Sequence, residues 1–272
     1  MLKELFLATR PGNSAIAAIG VFVGFSIALN SIAFTQPLAF AMLAAILVTG
    51  AGNIINDYFD EKTDTRMWKK NFIAHGKISA DSALLASALL FAAGIIISLY
   101  INSHALAIAL GVSALLVIYS ALMRQRKFIG NLVVALGTAM TLIYGASIAQ
   151  SYGTIIFLAA SAFFANVARE IIKDAQDIKG DLGEKKTLPM LIGFGEIKKI
   201  VLGLYALALG FSLAAWGIGL MTGIYFIILL AVSALLFANS YRLCAQKSFG
   251  AAQKYGKYGM IAALLAFIAS VI

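Results

Sequence analysis

The sequence predicts an all-α integral membrane protein with about nine transmembrane helices. Of its 272 residues, 61% are hydrophobic and 12% are charged, whereas a soluble domain is about half apolar and about a quarter charged. Long stretches of the chain contain no Asp, Glu, Lys or Arg. These uncharged stretches are residues 11–56, 82–123, 128–168, 200–241 and 258–272. Such a chain lacks the polar residues to cover its surface in water, so we expect lipid around it.

We compare the length of each uncharged stretch with the length of one membrane crossing, which needs roughly 20 apolar residues. The first four stretches are each long enough for two crossings. The last is long enough for one short crossing, in which Lys254 and Lys257 extend to the membrane surface. The four long stretches also have uncharged turn signals near their middle, at residues 30–37, 102–104, 150–153 and 217–223. We therefore expect four helical hairpins and a last helix at about 254–272, in a single domain over residues 1–272.

This arrangement places all 21 basic and 12 acidic residues on one side of the membrane. Cytoplasmic loops carry the excess of Lys and Arg, so we expect the N-terminus and the charged face in the cytoplasm and the C-terminus outside. The topology and the anionic lipid headgroups also account for most of the net charge of +9. We expect membrane lipids and no nucleic acid as partners, and the sequence gives no indication of oligomeric state.

The acidic residues concentrate in two stretches that share one spacing. Asn53-Asp57-Asp60-Asp64 forms the first stripe and Glu170-Asp174-Asp177-Asp181 the second; both have the spacing 4, 3, 4, and they are offset by 117 residues. On a helix this spacing covers an arc of about 60°. We expect each stripe to continue a helix, the second and sixth crossings, with Gly180 as a point where the second could end. The offset predicts two parallel repeats, at about 1–125 and 126–242.

The stripes are interpreted as a metal site. Carboxylates that lie close together repel unless a cation neutralises them, and a ligand set of oxygen atoms alone suits Mg²⁺, which is typically held by one or two carboxylates together with substrate phosphates. We predict these ligands: Asn53, Asp57, Asp60, Asp64, Asp174, Asp177 and Asp181. The predicted catalytic residues are Asp57, Asp60, Asp174 and Asp177.

The required phosphorylated substrate suits a lipid-embedded enzyme that transfers a prenyl group. The apolar space between helices would hold the prenyl tail, basic residues would stabilise the leaving diphosphate, and aromatic faces would stabilise the allylic cation. Among the basic residues, Arg169 and Lys173 flank the second stripe, and Arg66 and Lys127 come next. Two polar loops, 65–80 and 182–199, follow the stripes and could cap a site between them.

At the level of motifs, the chain resembles a known family. Residues 53–64, NIINDYFDEKTD, resemble the first motif, NDxxDxxxD, of the UbiA superfamily of intramembrane prenyltransferases, and residues 173–181, KDAQDIKGD, resemble its second motif, DxxDxxxD. Shorter similarities are Arg10-Pro11-Gly-Asn13, Tyr119-Ser120, Gly130-Asn131 and Thr187-Leu188-Pro189. The resemblance covers nearly the whole chain and implies nine helices.

The resemblance also implies a function. Both motifs would bind Mg²⁺ and a prenyl diphosphate, the acceptor would enter from the bilayer, and the residues Arg10, Asn13, Asn53 and Tyr119 would contact substrate. Residues 169–181 are most similar to the archaeal lipid branch, which transfers a geranylgeranyl group from geranylgeranyl diphosphate to the hydroxyl of geranylgeranylglyceryl phosphate, a lipid-like acceptor. One departure is Asn71-Phe72, where many members have Arg-Pro.

Three alternatives remain at this stage. The same family includes enzymes that prenylate an aromatic quinone precursor, chlorophyll or haem. A phospholipid-synthesising transferase would also use membrane aspartates, but its D-G-x₂-A-R signature is absent. An ion-coupled secondary transporter would place its carboxylates near the bilayer midplane on interrupted helices, whereas these stripes lie at one end of their helices.

Overall fold

The computed structural model of the chain describes residues 2–66, 71–123, 127–181 and 187–271. Within these ranges, the side chains of Thr63, Arg66, Met123, Lys127, Asp177, Lys179, Gly180 and Asp181 are not described. Every regular element in the described residues is helical. The elements are α1 Leu2–Ala8, α2 Pro11–Leu29, α3 Gln36–Phe59, α4 Glu61–Arg66, α5 Ala80–Leu99, α6 Ser103–Ile118, a π-helical turn Tyr119–Met123, α7 Lys127–Ala149, α8 Gly153–Asp181, α9 Leu188–Gly217, α10 Ile224–Ala245 and α11 Phe249–Ala269.

The uncharged turns lie where the sequence predicts them, between α2 and α3, α5 and α6, α7 and α8, and α9 and α10. Polar side chains begin two of the returning helices. The Thr35 hydroxyl accepts a hydrogen bond from Leu38 N–H at 3.3 Å, and the Asn102 side chain accepts one from Ala105 N–H at 2.8 Å. These bonds satisfy N–H groups that a helix start leaves without a partner.

Eight helices of the described chain are long and apolar enough to cross a membrane, namely α2, α3, α5, the α6 segment up to Leu122, and α7 to α10. α11 has 21 residues but carries Gln253, Lys254 and Lys257 in its first half, and it is not among the eight. Large apolar side chains also face outward; on α5, Leu85 and Leu89 are each 61% exposed. Such an outer surface is stable against lipid tails, so the chain is a multi-pass membrane protein.

Two helices that lie far apart in sequence, α2 and α7, pack closely through glycine. A Cβ at Gly24 would overlap the backbone carbonyl of Leu142 on α7, and a Cβ at Gly145 would overlap that of Val21 on α2. Small residues allow membrane helices to approach at the backbone, where packing rather than a hydrophobic driving force holds them together. This contact brings the C-terminal halves of α2 and α7 together.

α8 is the most buried of the membrane helices and packs against α7, α9 and α11. Beyond residue 187, the second polar loop proposed from the sequence is helical, because α9 begins at Leu188 with Pro189 in its first turn. The helix is interrupted at Gly193, whose φ of 77° lies outside the helical region.

We predict that Gly24→Ala destabilises the protein. The added methyl group would meet the Leu142 carbonyl, which is backbone and cannot rotate away, and overpacking of this kind costs about 1–3 kcal/mol. Thermal unfolding in detergent measures the effect. Gly111→Ala in α6 is the matched control, because a Cβ there meets nothing within 4 Å; it is expected to be neutral or slightly stabilising. Equal melting temperatures for the two variants would contradict the packing role.

Candidate active site

The first stripe lies where α3 ends and α4 begins. α3 ends at Phe59 and Asp60 caps it, so the prediction of one continuous helix through this stripe is wrong at Asp60. Backbone bonds nevertheless continue across the break: Asp60 N–H bonds the Asn56 carbonyl at 2.9 Å, and Asp64 N–H bonds the Asp60 carbonyl at 2.8 Å. The carboxylates of Asp60 and Asp64 therefore stay within electrostatic range of Asp57. All three side chains are buried.

The second stripe lies on α8, which runs past Gly180 to Asp181, so Gly180 does not end the helix. Glu170 and Asp174 are 7% and 4% exposed. The side chains of two further predicted ligands lie outside the described residues: Asp177 and Asp181. The described half of this stripe is thus buried like the first.

Arg10 provides the counter-charge of Asp57. Its Nη2 donates to Asp57 Oδ1 at 2.5 Å, and Asp57 is nearly buried while Arg10 is about half exposed. Arg10 caps α2 with a φ of 51° and no side-chain cap bond; a residue other than glycine at positive φ is unusual and marks functional sites. Asn53 Nδ2 bonds the neighbouring Thr9 carbonyl at 2.9 Å. Asn13 is exposed, and its side chain bonds neither stripe among the described residues.

The buried acids of the second stripe are also paired. Asn131 Nδ2, from the first turn of α7, donates to Asp174 Oδ2 at 2.7 Å. Glu170 accepts from Arg169 Nη1 at 2.6 Å and from Lys173 Nζ at 3.4 Å. The group of Glu170, Arg169 and Lys173 carries one net positive charge, and the two cationic side chains remain partly exposed. It is suited to bind an anion beside Asp174.

Tyr119 lies within electrostatic range of both stripes, since the charges of Asp60, Glu170 and Asp174 all act on its phenol group. Its hydroxyl occupies the position that a Cβ would take at Gly130, which explains why glycine is needed there. Tyr119 also begins a π-helical turn, an irregularity frequent at functional sites.

Two asparagines were not assigned as site residues from the sequence, yet both contact the stripes. Asn131 bonds Asp174, and Asn71 bonds Asp64 at 3.0 Å. The Gly130-Asn131 pair in the sequence could have indicated Asn131 as a site residue. No local pattern in the sequence indicates which residue Asn71 contacts. Arg66 and Lys127, two predicted substrate-binding residues, have side chains outside the described part of the chain.

The residues present fit a magnesium ion that is shared with a substrate. Within the described ranges, three or more Asp, Glu, His or Cys side chains do not meet closely enough to hold a metal ion by themselves. The buried donors are carboxylate oxygens, with cations beside them. This is the donor set for Mg²⁺, which takes one or two carboxylates and completes its coordination with substrate phosphates.

Comparison with known proteins places this geometry in a family. The model of the UbiA prenyltransferase family matches residues 17–270. The chain belongs to the UbiA prenyltransferase family. Two curated relatives of this UbiA protein are named digeranylgeranylglyceryl phosphate synthase. The one from Natronomonas pharaonis is 34% identical over 98% of this chain and 96% of its own length, and the one from Methanopyrus kandleri is 35% identical over 97% of both.

Solved structures agree with the UbiA fold. One, from work on digeranylgeranylglyceryl phosphate synthase in membranes, has a TM-score of 0.87 at 28% identity and covers 100% of this chain and 98% of its own. A UbiA homolog from Archaeoglobus fulgidus, bound to DMAPP and Mg²⁺, has a TM-score of 0.73 at 17% identity over 96% of this chain and 99% of its own. The all-helical UbiA fold predicted from the sequence is confirmed.

We predict that Arg10 and Asp57 are energetically coupled. In a double-mutant cycle, Arg10→Gln should cost more stability alone than in an Asp57→Asn background, because it leaves a buried carboxylate without its counter-charge. A coupling of about 1–3 kcal/mol is expected from thermal unfolding in detergent. The pair Lys199–Glu196, 75% and 56% exposed, is the control and should couple by less than about 1 kcal/mol. Equal coupling in both pairs would contradict the interpretation.

Proposed function

We propose that the chain transfers a geranylgeranyl group from geranylgeranyl diphosphate to the free hydroxyl of geranylgeranylglyceryl phosphate. The product carries the second ether bond of archaeal membrane lipids. The observation that carries the proposal is the naming of the Natronomonas and Methanopyrus relatives for this synthase, at about a third identity over nearly their whole length. The geometry agrees with it, since the described acids of two stripes are buried at the ends of membrane helices, with cationic side chains paired to them.

In this reaction the bond between the allylic carbon and the diphosphate oxygen breaks, and an ether bond forms to the acceptor oxygen. Diphosphate and a proton are released. When bound, Mg²⁺ supplies the positive charge that stabilises the departing diphosphate. Its proposed ligands are the set predicted from the sequence: Asn53, Asp57, Asp60, Asp64, Asp174, Asp177 and Asp181. The structures of a UbiA homolog from A. fulgidus bound to DMAPP or GPP together with Mg²⁺ support a prenyl diphosphate donor and a divalent metal.

The chain's own residues bind and orient the reactants. We assign diphosphate contacts to Arg10, Lys173 and Arg169, whose cationic groups already lie against the stripes. Arg66, Lys127 and Asn13 are proposed from the sequence alone. We propose that Tyr119, which lies within electrostatic range of both stripes, stabilises the allylic cation through its aromatic face. The apolar helices around it exclude water, which would otherwise intercept the cation.

We further infer nine crossings in a single domain, with α11 as the ninth. Its residues Ala266 and Phe267 are fully buried in the helix assembly, and Lys254 and Lys257 can extend to the membrane surface. The packing order α2–α3–α5–α6 parallels α7–α8–α9–α10, which supports two parallel repeats. The charged face and the N-terminus are proposed to lie in the cytoplasm and the C-terminus outside, from the distribution of Lys and Arg.

The experiment that tests the function supplies purified protein with labelled geranylgeranyl diphosphate and separate acceptors. The acceptors are geranylgeranylglyceryl phosphate, an aromatic acid, a naphthoate and a haem. The expected result is Mg²⁺-dependent diphosphate release coupled to a dietherified lipid only with the first. If product formed only with an aromatic or haem acceptor, the proposed acceptor would be wrong, whereas the family assignment would still hold. Solute uptake into vesicles without diphosphate release would contradict the proposal that the protein is an enzyme.

We predict that Asp57→Asn and Asp174→Asn each reduce turnover at least about 100-fold, because each removes a negative charge that would bind the metal and, through the metal, the diphosphate. Diphosphate release under saturating Mg²⁺ measures the effect. Glu196→Gln is the control: this exposed acid pairs only with Lys199 among the described residues and should leave turnover unchanged. Full turnover in either aspartate variant would remove that residue from the site.

We predict that Gly130→Ala lowers turnover about 10- to 100-fold. The new methyl group takes the space of the Tyr119 hydroxyl, and a displacement of about 1 Å in a reacting site has an effect of this size. Gly137→Ala, two turns further along α7, is the matched control because a Cβ there meets nothing within 4 Å. Equal turnover in the two variants would show that the position of Tyr119 does not matter.

A further inference from the structure

Among the described residues between α4 and α5, Asn71 is the most deeply buried polar one, at 1% exposure. Its side chain makes four hydrogen bonds. Oδ1 accepts from Ile73 N–H at 2.9 Å and from Ala74 N–H at 3.2 Å. Nδ2 donates to the Asp57 carbonyl at 2.7 Å and to Asp64 Oδ2 at 3.0 Å. These bonds use both donors and both acceptor positions of the amide, so Asn71 joins the loop to the first stripe.

The two donated bonds compensate for the break in the helix at Asp60. Asp57 is among the last residues of α3, where backbone carbonyls lack a partner within the helix, and Asn71 supplies one. Asp64 lies beyond the break on α4, a helix of six residues that is too short to be stable without tertiary contacts. The Asn71 amide therefore connects the part of the stripe on α3 to the part on α4.

We propose that Asn71 is a positioning residue of the first stripe: its amide holds the Asp64 carboxylate in register with Asp57 for binding of the metal and diphosphate. The inference rests on the proposed function of the stripe. A neutral amide at this position orients an acid of the protein and adds no positive charge for the substrate, which agrees with the cations placed at Arg10, Arg169 and Lys173.

The Asn71→Ser variant distinguishes positioning of the Asp64 carboxylate from support of the loop. A serine oxygen can still accept from the two backbone N–H groups in a short turn, but it has no amide to donate to Asp57 and Asp64. Asn102→Ser is a closely matched control at the opposite end of the helices. Asn102 also accepts from a backbone N–H, that of Ala105, and donates to a carbonyl, that of Ser147, at 2.9 Å.

The primary measurement does not depend on turnover. Thermal unfolding in detergent is followed while Mg²⁺ is titrated in the presence of inorganic diphosphate. Asn71→Ser is expected to raise the half-saturating Mg²⁺ concentration about tenfold and to lower kcat for geranylgeranyl diphosphate, whereas Asn102→Ser changes neither. In an Asp64→Ala background, Asn71→Ser should have little further effect on the Mg²⁺ titration, because the carboxylate that the amide positions is already gone.

A lower melting temperature of Asn71→Ser with an unchanged Mg²⁺ titration would overturn the proposal, since Asn71 would then only support the loop. If Asn71→Ser does not fold, Asn71→Asp keeps the size and both accepted bonds. It should still weaken Mg²⁺ binding despite its added negative charge, and tighter binding would overturn the proposal. Failure of the wild-type protein to form product would count against the proposed function alone, because the Mg²⁺ titration tests Asn71 separately.

Discussion

Burial of several carboxylates at the ends of membrane helices is the constraint on which the rest of the structure depends. An acid in apolar surroundings is costly unless it is paired and hydrogen-bonded. Asp57, Asp64 and Asp174 meet this requirement with residues from other elements, and Glu170 meets it with neighbours on its own helix α8. Asp57 has Arg10, Asp64 has Asn71, Asp174 has Asn131, and Glu170 has Arg169 and Lys173. The start of α2, the loop after α4 and the start of α7 are thereby fixed around the stripes.

The close contact of α2 with α7 supports the same arrangement from within the membrane. α2 begins beside Arg10, which pairs with the first stripe, and α7 carries Asn131, which bonds the second. Gly24 and Gly145 bring the two backbones together several turns away. Because helices are stiff, a fixed crossing at the glycines sets how far apart the partners of the two stripes lie. Packing in the apolar region thus determines geometry at the polar end.

Pairing of the acids also suits a site that must release a diphosphate. A stripe of unpaired carboxylates would repel an anionic substrate. Here the acids are partly neutralised, and their cationic partners Arg10, Arg169 and Lys173 remain partly exposed. Tyr119 and Gly130 place an aromatic ring where charges from both stripes meet. The chain therefore combines a polar end suited to a metal with diphosphate and an apolar interior suited to prenyl chains.

The sequence by itself determined the fold class, the positions of the turns and the two stripes, because these depend on local features: uncharged stretches, turn residues and a 4, 3, 4 spacing. It led to the UbiA family for the same reason. Only the tertiary structure decided that the helix of the first stripe breaks at Asp60 and that Tyr119 needs the space at Gly130. It also decided that Asn71 bonds Asp64 of the first stripe and that Asn131 bonds Asp174 of the second. These contacts join residues separated in sequence by up to 43 positions, and no local pattern specifies which side chains will meet once the helices pack.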